Sequence, residues 1–462
     1  MKSRFLSRFV RASAPRFATS VFAAAALASA VVLPSIASAV TEVATPKYQP
    51  MPDDPYFAIY HPRLAPEPGP LLLRKGDKLV IIGDSITEQK LYCRILETYL
   101  RVCRPDLELD IRQLGWSGET VEGFRKRVEQ DCLRFHPDVA TLCYGMNDSK
   151  YRPYDDANGT WFRENLTALV EQFKGANMRV VVGSPGIAEN HAVWVKPRAG
   201  TLEEHNLNLC TLRDIALDVA TAEDTRFADV FLPMLKAGFT ARARYGANPD
   251  APYALAGKDG IHPGWAGHLV MAYAFLRGLG VGGDQGTFTV DMSAKKAEAT
   301  PGHHVDRFNG SELVITSSRY PFCAEGPVDR DDSIRSGMSL VPFAQEFNRL
   351  RLVIHGSPTA HYSITWGDEF RQYSAAELEA GVNLAEEFPK NPFSAAFAKV
   401  DEAVAAKQAF ETKQVKQIFH GPEGKANIEE AVARTEAERA KLVQAIKDAF
   451  VPVTHTIKIA VH

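Results

Sequence analysis

A serine, a histidine and an aspartate occur in short segments that are suited to acyl transfer. Ser85 lies in Gly83-Asp84-Ser85, and Asp259 precedes His262 by three residues in Asp259-Gly260-Ile261-His262. In acyl transfer a serine attacks the carbonyl, a histidine takes the serine proton, and a carboxylate holds the histidine in its productive tautomer. We therefore predict that Ser85 is a nucleophile, His262 its base and Asp259 the orienting carboxylate.

The oxyanion that develops in such a reaction needs hydrogen-bond donors, and two further segments offer them. Gly118 lies in the segment 115–120, and Asn147 lies in Gly145-Met146-Asn147-Asp148. We predict an oxyanion hole formed by the backbone N–H groups of Ser85 and Gly118 and by the side-chain amide of Asn147. Loss of one such donor typically costs about 3 to 4 kcal/mol of transition-state stabilisation. Asp148 is expected to have a structural hydrogen-bonding role.

The elements that must position these residues alternate between apolar strands and amphipathic helices. This alternation predicts an α/β fold with a parallel sheet covered on both faces. Ligands bind at the carboxyl ends of such strands, where loops converge and helix N-termini present free N–H groups. Ser85, Gly118 and Asn147 each follow a predicted strand. The predicted strands are 78–82, 109–114, 138–144, 179–183 and 225–230, and the predicted helices are 91–100, 120–135, 165–175, 203–220 and 268–279.

The pattern changes after about residue 283, where strands with period-two alternation and two long helices are predicted. The strands are 287–292, 312–317, 349–355 and 454–461, and the helices are 393–419 and 427–450. The helices are expected to form an antiparallel pair, and the last strand to return to the small sheet. Lysines such as Lys407 are interspersed with glutamates, which favours a solvated helix face and argues against nucleic-acid binding.

The N-terminus has the pattern of an export signal. Residues 1–16 are basic and contain no acid, residues 17–33 are uncharged and apolar, and Ala37-Ser38-Ala39 is a small-x-small site. We expect residues 1–39 to be a signal peptide and the mature, periplasmic or secreted chain to begin at Val40. The alternative is an uncleaved membrane anchor, for which the apolar run is short relative to about 30 Å of hydrocarbon.

Length and composition indicate an ordinary globular protein with more than one domain. The chain has 462 residues, 45% of them hydrophobic, and a formal net charge of -3. We expect a proline-rich arm over 40–74, a hydrolase domain over 75–282 and an accessory domain over 283–462. The near-neutral charge gives no general field for nucleic acid.

The cysteines permit disulfides without assigning them. The chain has six cysteines, an even number, and they would lie in an oxidising compartment after export. No cluster of cysteine and histidine has zinc spacing, so neither a metal nor another cofactor is expected.

Taken in order, the four segments that contain Ser85, Gly118, Asn147 and His262 resemble those of the SGNH hydrolases, the GDSL esterase and lipase superfamily. The resemblance covers roughly residues 75–280. Ser85, Gly118, Asn147 and His262 match the four signature positions of that family. The resemblance implies a three-layer α/β/α, flavodoxin-like sandwich and metal-free hydrolysis of esters, thioesters or sugar O-acetyl groups. The segment 373–385 is similar to one that follows the catalytic domain in some exported bacterial members.

The function expected from these features is that of an exported serine esterase acting on small acyl esters through an acyl-Ser85 intermediate. Export favours O-deacetylation of a carbohydrate, and Trp116, Trp194 and Trp265 are candidate substrate contacts. A lipolytic esterase or thioesterase is one alternative, and a glycan-binding module without turnover is another. The sequence leaves open the specificity for acyl group and alcohol, the oligomeric state and the role of the C-terminal region.

Overall fold

The computed structural model of the protein describes residues 47–246, 252–356 and 359–462. The expected signal peptide, its cleavage site after Ala39 and the alternative membrane anchor lie outside the described residues. Among the helices of the described ranges, none has the length and apolar character needed to cross a bilayer.

A five-stranded parallel sheet lies at the centre of the N-terminal region. Its strand order is β2-β1-β3-β4-β5, so the chain leaves β1 in one direction to form β2 and returns past β1 to form β3. The carboxyl ends of β1 and β3 therefore flank the point where the strand order reverses, the usual ligand-binding position of an open parallel sheet. The bounds are β1 Lys78–Gly83, β2 Asp110–Gln113, β3 Val139–Cys143, β4 Arg179–Gly183 and β5 Arg226–Ala228.

Helices cover both faces of this sheet, which confirms the predicted α/β/α layering. Successive side chains of a strand point to opposite faces, so Leu79 of β1 belongs to one buried apolar cluster and Val80 to the other. The helices are α1 Ser85–Glu88, α2 Leu91–Cys103, α3 Val121–Arg125, α4 Val128–Asp131, α5 Asp156–Gly175, α6 Leu202–Ala222, α7 Phe231–Tyr245 and α8 Trp265–Gly278. Short 3-10 turns occur at Pro55–Phe57, Pro105–Leu107 and Leu133–Phe135.

The helices of the parallel-sheet region differ from the predictions in three ways, one of which is that α5 begins at Asp156 rather than at residue 165. The single helix predicted over 120–135 is divided into α3, α4 and a 3-10 turn, because the backbone leaves the helical region at Arg127 (φ -118, ψ 1) and again at Cys132 (φ -126, ψ -67). At the first break, the Arg127 guanidinium donates hydrogen bonds to the Glu119 carboxylate and to the Leu114 carbonyl. Helix α7 was not predicted.

The C-terminal region contains two further sheets. One is four-stranded with the order β13-β10-β6-β7, and the other is five-stranded with the order β12-β11-β14-β9-β8. The last strand, β14, lies between β9 and β11, which confirms its predicted return to the small sheet. The strands are β6 Asp284–Asp291, β7 Lys296–Ala299, β8 His303–Phe308, β9 Glu312–Ser317, β10 Arg349–His355, β11 His361–Trp366, β12 Glu369–Ser374, β13 Val382–Asn383 and β14 Val453–Val461.

The predicted helix pair is present in the C-terminal region. The helices of this region are α9 Ile334–Leu340, α10 Phe343–Phe347, α11 Ala375–Ala380, α12 Leu384–Glu387, α13 Ser394–Lys413, α14 Pro422–Ala426 and α15 Ile428–Ala449, and a π-helical segment, Gln414–Phe419, continues α13. The expectation of a solvated face is wrong for Lys407, whose side chain is fully buried between Glu97 of α2 and Glu411 of α13.

The C-terminal region shares its apolar core with the parallel-sheet region. The Tyr99 ring of α2 makes edge contacts with Phe343 and Phe347, and the Phe135 ring stacks on Phe419. The proline-rich arm is also packed, since Phe57 is buried against Phe239 of α7. The six cysteines, all within the described ranges, are buried free thiols.

Candidate active site

Ser85 is the first residue of α1, directly after β1. The side chain of Asp84 caps this helix by accepting a hydrogen bond from the backbone N–H of Ile86 at 2.9 Å. The strand-to-helix turn leaves the backbone N–H groups at the start of the helix without partners inside it. Ser85 thus presents a half-buried hydroxyl beside N–H groups that favour a negative charge.

Ser85, His262 and Asp259 form one chain of hydrogen bonds. Ser85 Oγ lies 2.7 Å from His262 Nε2, and His262 Nδ1 lies 2.7 Å from Asp259 Oδ2. The other oxygen, Asp259 Oδ1, accepts the backbone N–H groups of Ile261 and His262. A carboxylate facing Nδ1 favours the tautomer with the proton there, which leaves Nε2 to accept the Ser85 proton.

The electrostatics of Asp259 suit this arrangement. Burial opposes its ionisation, but hydrogen bonds from the His262 backbone and ring and from Ile261 hold the pKa of Asp259 below its usual value. The turn before His262 requires glycine at Gly260, whose φ is +77 and whose added Cβ would lie 2.2 Å from the Asn190 backbone nitrogen. Asp259 is therefore a carboxylate at neutral pH, held by a tight turn.

Gly118 and Asn147 lie in neighbouring loops. Gly118 has a φ of +75, a left-handed conformation that glycine adopts without strain. Asn147 Nδ2 donates to the carbonyl of Glu119, next to Gly118, at 3.0 Å, and Asn147 Oδ1 accepts the Tyr151 hydroxyl at 2.6 Å. Because the side-chain amide has two hydrogens, one remains available for an oxyanion.

The Asp148 side chain connects the loop that contains Gly118 to the loop that contains Asn147. Its two carboxylate oxygens accept the backbone N–H groups of Val121 and Gly145 at 3.0 and 2.9 Å. The side chain is fully buried, and burial raises the pKa of Asp148 to about 6. These contacts confirm the predicted structural role of Asp148.

The three candidate tryptophans occupy different surroundings. Trp194 has its ring centroid 5.5 Å from that of His262 and is 48% exposed. Trp116 packs its ring against His420 of the C-terminal region, and the Trp265 ring lies beneath the Arg94 guanidinium. The structure therefore places Trp194 at the Ser85–His262 pair, whereas Trp116 and Trp265 use their rings in packing contacts.

Sequence reasoning missed Tyr151, which contacts both Asn147 and Trp194. Its ring centroid lies 5.8 Å from that of Trp194 in an edge-to-face arrangement. Lys150 and Tyr151 have φ values of 54 and 55, and this left-handed turn directs the Tyr151 hydroxyl back to Asn147. Non-glycine residues rarely adopt that conformation, so the residue types gave no signal for the contact.

Comparison with known proteins relates this site to ester hydrolases. Residues 81–270, which include all five predicted catalytic and oxyanion-hole residues, match the model of the GDSL-like Lipase/Acylhydrolase family. An acetylxylan esterase from Geobacillus stearothermophilus is 26% identical over 230 residues, 44% of this chain and 94% of that protein. A solved structure of a gut microbial diltiazem-metabolizing enzyme has the same fold, with a TM-score of 0.67, 21% identity and coverage of 85% of this chain and 100% of its own. The chain is therefore an ester-hydrolysing enzyme whose residues 81–270 form a GDSL-like lipase/acylhydrolase domain of the SGNH type.

Proposed function

We propose that the protein is an exported serine esterase that removes small acyl groups through an acyl-Ser85 intermediate, with O-acetyl groups of carbohydrates as its substrates. The observation that carries the proposal is the hydrogen-bonded chain from Ser85 through His262 to Asp259. The His262 ring of this hydrogen-bonded triad lies beside the exposed ring of Trp194.

The reaction proceeds in two displacements. Ser85 Oγ attacks the ester carbonyl while His262 Nε2 takes its proton, and the resulting oxyanion is bound by the N–H groups of Ser85, Gly118 and Asn147. The tetrahedral intermediate then expels the alcohol, which receives the proton from His262. A water molecule attacks the acyl-Ser85 with His262 again as base, and collapse returns the proton to Ser85 and releases the carboxylic acid. Asp259 stays ionised throughout.

The surroundings of His262 support a sugar as the alcohol. His262 passes its proton to the leaving oxygen, so a group beside His262 lies next to the alcohol portion of the substrate. Trp194 is in that position and exposes about half of its surface. The apolar face of an indole ring is suited to stacking on a pyranose, and a relative of this chain is an acetylxylan esterase. The export signal expected in residues 1–39 would deliver the enzyme to extracellular polysaccharide.

Release of acetate tests the proposal. The mature protein from Val40 and its Ser85→Ala variant are given acetylated xylan and 4-nitrophenyl acetate, with and without a chelator. We expect the wild type to deacetylate both, Ser85→Ala to lose both activities and the chelator to have no effect. Trp194→Ala should raise KM for acetylated xylan while leaving 4-nitrophenyl acetate hydrolysis nearly unchanged.

Other outcomes would identify the alternatives. Activity that rises with acyl chain length and is absent on acetylated xylan would replace the proposal by a lipolytic esterase or thioesterase. Equal inertness of the folded wild type and Ser85→Ala on all these esters would contradict turnover at Ser85, and glycan binding would then be measured directly.

A further inference from the structure

We infer that the C-terminal helical region positions the oxyanion hole, with Lys416 and Glu88 as the positioning residues. The C-terminal helical region means residues 394–449, and the oxyanion loop means residues 115–120, which include Gly118. The inference rests on the proposed function, because it concerns a donor of the same reaction. It gives the C-terminal region a part in turnover that neither its fold nor its sequence indicates.

The Glu88 carboxylate connects the oxyanion loop to α1, the helix that begins with the nucleophile. Glu88 is the last residue of α1, which begins at Ser85. Glu88 Oε2 accepts the backbone N–H of Ser117 at 2.5 Å and the Ser117 hydroxyl at 2.6 Å. Since Ser117 directly precedes Gly118, these two bonds connect the neighbour of Gly118 to the helix that begins at Ser85, and they add to the backbone bond from Trp116 to Gly83.

Lys416 holds this carboxylate from the other side. Its Nζ lies 2.7 Å from Glu88 Oε1 and 2.9 Å from Oε2. The side chains of Lys416 and Glu88 are only 26% and 18% exposed, so solvent screens the pair less than it screens a surface ion pair. Burial opposes ionisation of Glu88, but hydrogen bonds from Lys416 and Ser117 hold its pKa below the usual value. Glu88 therefore accepts all of these bonds as a carboxylate.

The C-terminal helical region also contacts Trp116, a residue of the oxyanion loop. The Trp116 ring has Lys416 Nζ 5.1 Å and the Arg127 guanidinium carbon 5.0 Å from its centroid, and the His420 ring meets it edge-to-face at 5.1 Å. Lys416 lies in the π-helical segment Gln414–Phe419, and His420 follows it directly. Such π-helical segments within α-helices frequently occur at functional sites.

A purely structural role would make a different prediction from a positioning role. If Lys416 only attached the C-terminal region, its loss would lower stability and leave the folded enzyme fully active. If it positions the loop, its loss displaces the Gly118 N–H from the developing oxyanion, and misplacement by about 1 Å can cost about 10²-fold in rate. The two roles are therefore separable by kinetics at a temperature where every variant is folded.

The test compares Lys416→Met with Lys413→Met in the full mature chain. Lys413 is exposed in the same helical stretch and serves as the matched control. We expect Lys416→Met to lower kcat for 4-nitrophenyl acetate by about 10-fold or more, with KM within about 2-fold of wild type. Lys416→Arg should recover part of the rate, and Lys413→Met should behave as wild type.

Two further variants keep the test decisive. Glu88→Gln and Lys416→Met should be non-additive in kcat, because they remove the same contact. If Lys416→Met does not fold, Ser117→Ala replaces it, since Ser117 is exposed and loses only its hydroxyl, and we expect a several-fold lower kcat with an unchanged unfolding midpoint.

The outcomes separate this inference from the proposed function. An active wild type, an inert Ser85→Ala and a Lys416→Met variant with the same kcat as Lys413→Met would overturn the inference and leave the esterase in place. A folded wild type as inert as Ser85→Ala would overturn both.

Discussion

The Tyr151 hydroxyl and the Glu119 carbonyl together determine which way the amide of Asn147 faces. The hydroxyl donates to Asn147 Oδ1, so the nitrogen faces the Glu119 carbonyl and the oxyanion position. Without that hydroxyl, only the bond to the Glu119 carbonyl would hold the amide in this orientation. Tyr151 is thus a positioning residue for the predicted oxyanion hole.

We expect Tyr151→Phe to lower kcat/KM for 4-nitrophenyl acetate by about 10-fold, less than the 10²- to 10³-fold loss typical of removing one oxyanion donor. The unfolding free energy should fall by only about 1 kcal/mol, the usual net value of one hydrogen bond. Steady-state kinetics and denaturant titration measure the two effects. Wild-type kinetics in Tyr151→Phe combined with a large loss in Asn147→Ala would contradict the positioning role.

Asp84 makes the stability of the protein depend on pH in a predictable direction. Burial, with a smaller effect of the Asp148 and Glu119 carboxylates, raises the pKa of Asp84 to about 7, whereas an unfolded aspartate titrates near about 4. Between these values the folded protein holds a proton that the unfolded chain has released. The contribution of Asp84 to stability is therefore present below about pH 4 and is lost as the pH rises to about 7.

We expect Asp84→Asn to remove this dependence while keeping the cap on Ile86, because an asparagine oxygen also accepts that bond. Relative to the variant, the wild type should lose about 1 kcal/mol of unfolding free energy per pH unit between about pH 4 and 7. Urea titrations of both proteins across that range measure the difference. A difference that does not change with pH would refute the assignment.

Among the elements, local patterns located some strands to the residue, whereas β7, β8, β11, β12 and β13 were not predicted. Arg179–Gly183 and Glu312–Ser317 begin and end where predicted, because compact or alternating apolar runs bounded by polar residues are local signals. Ser85, Gly118 and Asn147 could be proposed as site residues for the same reason, since each follows a strand. Asp259 and His262 lie instead in the loop between α7 and α8, and only their residue types and spacing singled them out. The break at Arg127 and the burial of Lys407 depend on partners distant in the sequence, such as Leu114 and Glu97, and no local pattern encodes them.

Helix α13 is attached to α2 and β2 through buried charges. Lys407 Nζ contacts Glu411 Oε1 at 2.7 Å, Glu97 Oε2 at 3.1 Å and the Ile111 carbonyl at 2.6 Å, and the three charged side chains are fully buried. Because removal of one partner leaves buried charges uncompensated, such a change typically costs about 3 to 5 kcal/mol.

We expect Lys407→Met to lower the unfolding free energy by about 3 kcal/mol or more. Lys441→Met, at an exposed position of α15, should change it by less than about 0.5 kcal/mol. Denaturant titration measures both variants. Equal stability of Lys407→Met and Lys441→Met would show that the buried cluster does not hold α13 in place.

In the molecule as a whole, the parallel sheet and the C-terminal region share apolar clusters in addition to the ion pairs between them. One cluster contains Leu79 of β1 together with Phe347 and Ile457, and the other contains Val80 together with Ile418. Regions that share a core are expected to unfold together.

We therefore expect one cooperative transition in calorimetry of the mature protein, with the calorimetric and van't Hoff enthalpies equal within error. Near-ultraviolet circular dichroism and the loss of esterase activity should follow the same transition. Two separated transitions, with activity lost in only one of them, would show that the regions unfold independently.

Ser85, activated by His262, is the proposed nucleophile of this ester hydrolase. Covalent labelling with a fluorophosphonate tests this role, because the reagent phosphonylates an activated serine, and peptide mass mapping identifies the labelled residue. We predict stoichiometric labelling of Ser85 in the wild type, a strongly slowed reaction in His262→Ala and none at that position in Ser85→Ala. A wild type that hydrolyses esters but is labelled at another residue, or not at all, would show that Ser85 is not the nucleophile.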